Sequence, residues 1–171
     1  RWHDRQLAKY SFKTTLQDTA ISIPSQGLKV SSLTGMLNGN HVEGRIEINA
    51  AGMDIEANKI MDHTFANQKL TGAVVWKHTD NGVIVALESI SLLAEGLSAN
   101  LQGSIQINNG NPYIDLQGKI PHAQLATIKT YLPYRRMNPK LAKWLKTSID
   151  SGVLKNGKLL FQGNPKHLPF K

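Results

Sequence analysis

Leu97-Ser98-Ala99-Asn100-Leu101-Gln102-Gly103-Ser104-Ile105-Gln106-Ile107 alternates apolar and polar residues without a break. Side chains along a strand point alternately to opposite faces, so Leu97, Ala99, Leu101, Gly103, Ile105 and Ile107 share one face and the polar residues share the other. A helix cannot produce a strict period of two, so the segment is read as a half-buried strand. Working outward, the same period recurs in Ile114, Leu116, Gly118 and Ile120, in Val42, Gly44, Ile46 and Ile48, in Met53, Ile55 and Ala57, and in Tyr10, Phe12 and Leu16. Between these runs stand Asn38-Gly39-Asn40, Ala51-Gly52, Asp80-Asn81-Gly82, Asn108-Asn109-Gly110 and Asn156-Gly157, residues that tolerate the positive φ of tight turns. Short links join antiparallel neighbours, so the chain is expected to be a meander with one apolar and one wet face. The two-sided runs Val83-Ile84-Val85-Ala86-Leu87 and Ser91-Leu92-Leu93-Ala94 predict that part of the sheet is covered on both faces.

Glycine recurs on the apolar face. An apolar-x-Gly-x-apolar unit is centred on Gly35, Gly44, Gly72, Gly103 and Gly118, with a shorter copy at Phe161-Gln162-Gly163. A glycine there fills no volume and weakens the strand, so its repetition predicts strong curvature or something approaching the backbone closely.

One helix is expected near the end, over residues 138–151. Asn138 suits the N-cap and Pro139 the first turn; Leu141, Trp144, Leu145 and Ile149 form a stripe at helical spacing, and Gly152 sits where a C-terminal cap belongs. Trp144 is read as the anchor of that helix on the sheet. A shorter helical turn with Leu125 and Ile128 is expected between Pro121 and Tyr131, ended by Pro133, and residues 153–163 are read as a terminal hairpin. About eight strands spaced ~4.8 Å apart would offer an apolar face of roughly 650 Å². One helix of about three turns covers perhaps ~200 Å² of that. Either the sheet folds onto itself, or a ligand covers the remainder.

The 171 residues fit one domain spanning 1–171. There is no cysteine, which excludes a disulfide scaffold and a cysteine-based metal site. No apolar run reaches membrane-span length and Arg1-Trp2-His3-Asp4-Arg5 is not a signal peptide; the chain is expected to be soluble as given and a piece of something longer. The net charge of +8 is concentrated at the end, where eleven Lys and Arg from Lys119 onward face Asp150 alone. Such a region attracts polyanions, nucleic acid or phosphate headgroups. Nucleic acid is disfavoured, because Phe12, Trp76 and Phe161 fall at core-like positions rather than on a stacking platform. The six histidines, at 3, 41, 63, 78, 122 and 167, include no pair at ligand spacing. With no phosphate loop or nucleophile elbow either, no enzyme, metal or cofactor is expected.

The segment Tyr131-Leu132-Pro133, Met137-Asn138-Pro139-Lys140-Leu141, Trp144-Leu145, Ser151-Gly152-Val153, Phe161-Gln162-Gly163 and Leu168-Pro169-Phe170 resembles the YhdP family of AsmA-like proteins of Gram-negative bacterial envelopes. Leu70-Thr71-Gly72 followed by Val75-Trp76 is also similar to that family's strand pattern. The resemblance implies a middle segment of a long periplasmic protein anchored in the inner membrane, similar to bridge-like lipid-transfer proteins of repeating β-groove units. It also implies phospholipid as partner, with adjacent segments of the same longer chain, and membrane contact through the parent protein rather than this segment. The fold class expected is therefore mainly β: a long curved antiparallel meander forming an open groove, with one short C-terminal helix packed on it. Its lipid groove would be lined by Val42, Ile46, Ile48, Ile55, Val74, Leu97, Leu101, Ile105, Ile107, Ile114, Leu116 and Phe161, with Arg135, Arg136, Lys140 and Lys143 meeting headgroups at the rim. The alternative is a closed β-sandwich serving as scaffold or protein-interaction domain of the envelope.

Overall fold

The computed structural model describes residues 9–164 apart from 60 and 133. Eight antiparallel strands form one open sheet in sequential order, β1 (Ser11–Ile23), β2 (Leu28–Asn40), β3 (Glu43–Ala57), β4 (Phe65–Thr79), β5 (Gly82–Ala94), β6 (Leu97–Asn108), β7 (Asn111–Gln124) and β8 (Val153–Gly163). Between β7 and β8 the chain makes helix α1 (Leu125–Thr130), a 3-10 turn at Tyr134–Arg136, and helix α2 (Pro139–Ser148). The mainly β, open meander read from the residue alternation is therefore the fold, and the closed sandwich is not, since β1 and β8 are both edges of the sheet.

Several local expectations need correcting. Ala51-Gly52 makes no turn. It lies inside β3, where Gly52 takes φ 86° at a register shift between Ala51 and Met53. Asn156-Gly157 makes none either, and 153–163 is a single strand paired with β7 rather than a hairpin, with Asn156 at φ 55°. Asn38 and Gly39 are still strand; the chain reverses after Asn40, whose side chain accepts from the backbone N–H of Val42 at 2.7 Å and of Glu43 at 3.0 Å.

The predicted helix over 138–151 is shorter. The Asn138 cap accepts from the Lys140 N–H at 2.9 Å as expected, but the helix stops at Ser148 and Ile149 is extended. At that end the Lys129 ammonium donates to the carbonyls of Lys146 and Ile149, taking the Lys146 carbonyl that a glycine cap would otherwise satisfy. Gly152 instead accepts from the Leu125 N–H at 2.9 Å, tying the two ends of the helical segment together.

Register shifts interrupt six of the seven strand pairings, and non-glycine residues with positive φ stand inside β1, β2, β4, β5 and β8, at Asp18, Ser32, Asn67, Ser89 and Asn156. Bulges bend a strand and tighten its twist. They divide the sheet into a far half, which ends in the β2–β3, β4–β5 and β6–β7 turns, and a helix half.

Candidate functional site: an apolar sheet face, half covered

Cross-strand partners share a face, so the pairings identify the surface directly. Thr14, Leu37, Ile46, Val74, Leu87, Gly103, Leu116 and Phe161 are paired neighbour to neighbour across all eight strands. The next row toward the far end runs Phe12, Gly39, Gly44, Trp76, Val85, Ile105, Ile114 and Gly163. Apart from Thr14, every side chain in both rows is apolar or glycine.

Of the expected groove residues, Ile46, Ile48, Ile55, Val74, Leu97, Leu101, Ile105, Ile107, Ile114, Leu116 and Phe161 fall on this one face by register. Val42 does not. It lies in the β2–β3 turn, 37 % exposed, with its carbonyl accepting from the His78 N–H. Phe12, Leu37, Trp76, Val85 and Leu87 belong to the same floor and were not singled out from sequence. For Val85 and Leu87 the reason is physical: a run that is apolar on both sides does not say which side faces the site.

The two halves are covered differently. In the helix half, Leu33, Ala50 and Met53 are buried, with Ile46, Ile48 and Ile55 packed against them. Across the sheet Leu97, Ala99 and Ala123 are buried, with Ile120, Leu154, Ile128 and Tyr131 around them. Leu97 is thus buried, and Ile48 and Ile55 are half-buried against the Leu33–Ala50–Met53 cluster. In the far half the floor is partly open to solvent: Phe12 is 40 % and Ile107 36 % exposed, and Val74, Ile105, Ile114 and Leu116 are half-buried.

The floor glycines are explained by close approach of the protein itself. A Cβ on Gly103 would run into the Asp115 carbonyl of the neighbouring strand, and its φ of +142° already disfavours any side chain. At Gly44 the space is filled by the indole of Trp76, its cross-strand partner, an aromatic side chain covering a strand glycine. The glycines at 44 and 103 therefore leave no gap in the floor.

The helical segment straps one end of this face. Tyr131 stacks on Phe65 with ring centroids 4.3 Å apart and donates its hydroxyl to Gln68 Oε1 at 2.6 Å. Burial raises the Tyr131 pKa, so the hydroxyl keeps its proton and remains a donor. Gln68 is itself buried, and its amide donates to the Ala66 carbonyl. Farther along, Arg135 and Lys146 both bind Asp62 in the β3–β4 connection, at 2.8 and 3.1 Å. The Arg135 hydrogen bond first, and then that of Lys146, hold the Asp62 carboxyl below its ordinary range.

Of the expected headgroup residues, Arg135 is thus engaged with Asp62 and the Asn58 carbonyl; the Arg136 side chain lies outside the described residues, and Lys140 and Lys143 are exposed on α2. Trp144 does not anchor α2 on the sheet: it is 58 % exposed, and α2 buries no residue fully. Tyr131 performs the docking expected of Trp144.

The opposite face carries the polar set. Arg45 sits between Glu88 at 2.6 Å and Glu47 at 3.0 Å, which raise its pKa, beside an open hollow of about 500 Å³. Among the described residues no group of His, Asp or Glu is placed to hold a metal ion.

An open antiparallel sheet with one continuous apolar face, strapped at one end and partly open to solvent at the other, defines the class of protein. The family model described as YhdP protein matches residues 1–171, and the chain belongs to that family. The family is one of bacterial envelope proteins and is not a known enzyme family. No curated protein and no solved structure matches the chain. Among the described residues no helix is long and apolar enough to cross a membrane.

Proposed function

We propose that this chain is one segment of a periplasmic conduit, anchored in the inner membrane through its parent protein, along which phospholipid acyl chains travel between the inner and outer membranes. The observation that carries this reading is the far half of the apolar face, where rows of Val, Ile, Leu and Phe run from strand to strand and stay half-buried or exposed. Covering an acyl chain recovers about 0.8 kcal/mol per methylene, on the order of 12 kcal/mol for a chain of about sixteen carbons. That attraction is non-directional, so a lipid can slide along a uniform floor without breaking specific bonds.

The test is native mass spectrometry and lipid extraction of the purified chain. Bound phospholipid is expected in the wild type and is lost in Ile105→Asp and Leu116→Asp, while circular dichroism stays unchanged. These positions separate capture from folding better than Ile46, which packs on a buried cluster. A chain that carries no phospholipid, or folded variants that carry as much as the wild type, overturns the proposal.

A further inference from the structure

The strap that crosses the sheet end also presents a surface that nothing in the described structure covers. At 100° per residue, Ala142 and Leu145 of α2 turn toward the protein and are half-buried, whereas Lys140, Lys143 and Trp144 turn outward and are exposed, Trp144 by 58 %; Leu141 lies on the flank between the two faces and is 39 % exposed. The face is held firmly in place. Asn138 caps one end of the helix, Lys129 donates to carbonyls at the other, and Lys146 binds Asp62 while lying 4.4 Å over the Tyr134 ring.

The cations of the strap divide into two sets. Lys129, Arg135 and Lys146 are spent on carbonyls or on Asp62. Among the described residues, Lys140 and Lys143 have no acidic partner, and around the helix they lie on one side of the exposed Trp144, with Leu141 on its other side. An indole and an aliphatic side chain beside unpaired ammonium groups match the boundary between acyl chains and anionic headgroups, where tryptophan is favoured and lysine meets phosphate. A protein partner would bury Lys140 and Lys143 unless it supplied carboxylates, whereas an anionic bilayer supplies phosphates at any orientation of the helix about the membrane normal.

We infer that the outward face of α2 is a docking site for the surface of an anionic phospholipid bilayer, with Trp144 and Leu141 inserted at the interface and Lys140 and Lys143 on the headgroup phosphates. This segment would then touch a membrane itself, in addition to any contact made by its parent. The inference does not rest on the sheet's apolar face. A variant such as Ile105→Asp that no longer captures lipid is expected to dock as well as the wild type.

The test is cosedimentation with vesicles of phosphatidylcholine, alone or mixed with phosphatidylglycerol. The wild type is expected to bind the mixed vesicles and to bind neutral ones weakly. The double variant Lys140→Glu/Lys143→Glu should weaken binding by about tenfold or more, since each lysine adds appreciably to the attraction at an anionic surface. Trp144→Ala and Leu141→Ser, both at exposed positions that leave the core intact, should each weaken it severalfold. The control is Lys155→Glu/Lys158→Glu on β8, which changes the net charge equally at positions paired with β7. If the β8 variant loses as much affinity, binding is diffuse electrostatics and the inference fails. It fails too if Trp144→Ala binds normally, or if Trp144→Ala instead dissolves a self-associated species in sedimentation velocity.

Discussion

The far half and the helix half of this sheet are written in the same alternating code, yet they hold their apolar residues differently. In the helix half, bulges at Ser32, Gly52, Asn67 and Ser89 bend the strands, and Leu33, Ala50, Met53, Leu97, Ala99 and Ala123 are sealed by neighbours or by the strap. In the far half the ladder from Val74 to Leu116 is regular and its surface is partly bare. The comparison teaches that stability and the proposed activity occupy separate ends of one face, so substitutions should separate them.

The largest contrast is expected between cores. Met53→Ala removes a side chain that is 1 % exposed and should cost about 2–5 kcal/mol in urea unfolding. Leu116→Ala, measured on lipid-free protein, should cost no more than about 1.5 kcal/mol, because water already reaches it. Equal costs would mean that the far half is as closed as the helix half. Second, Gly103→Val places a side chain against the Asp115 carbonyl and forces an L-residue into φ +142°; a loss of about 1–3 kcal/mol is expected. Its hydrogen-exchange signature should be confined to the β6–β7 pairing.

Third, Tyr131→Phe keeps the stack on Phe65 but leaves Gln68 Oε1 buried without its donor, at a cost of about 1–3 kcal/mol. Amide exchange should speed up in 125–148 and not in the far-half turns. The smallest effect belongs to Asp62. Its pKa is depressed in the folded state, so its contribution is present in full above the ordinary carboxylate pKa of ~3.9 and is lost as pH falls through the depressed value. The near-ultraviolet signal of the Tyr131–Phe65 stack should therefore stay constant from neutrality to about pH 4 and fade only in stronger acid, at a higher pH in Lys146→Ala than in the wild type. A fade already near neutrality would show that Asp62 does not fasten the strap.

Strand identity and the face each strand buries were legible because a period of two survives every tertiary detail. The bulges were not, since Asp18, Ser32, Asn67 and Ser89 read as ordinary polar-face residues, and their left-handed backbone follows from the neighbouring strand. At Gly52 and Asn156-Gly157 the sign of φ was legible and the consequence was not: the same chemistry makes a hairpin turn or a mid-strand bulge. The stripe of α2 correctly places a helix, but a stripe at helical spacing looks the same whether a sheet covers it or leaves it bare, which is why it predicts Trp144 as the anchor on the sheet although that side chain is 58 % exposed. The Asp62–Arg135 pair joins residues far apart in the chain, and no local pattern announces it.

The central claim is most directly tested by placing a photo-crosslinking amino acid one position at a time at Ile105 and Leu116 in the far half, at Ala99 in the helix half, and at Gln102 and Ser104 on the polar face, then irradiating the protein as purified from cells. Phospholipid adducts at Ile105 and Leu116, with none at the other three, are the predicted result. Adducts distributed alike over both faces, or none at Ile105 and Leu116, would contradict the account.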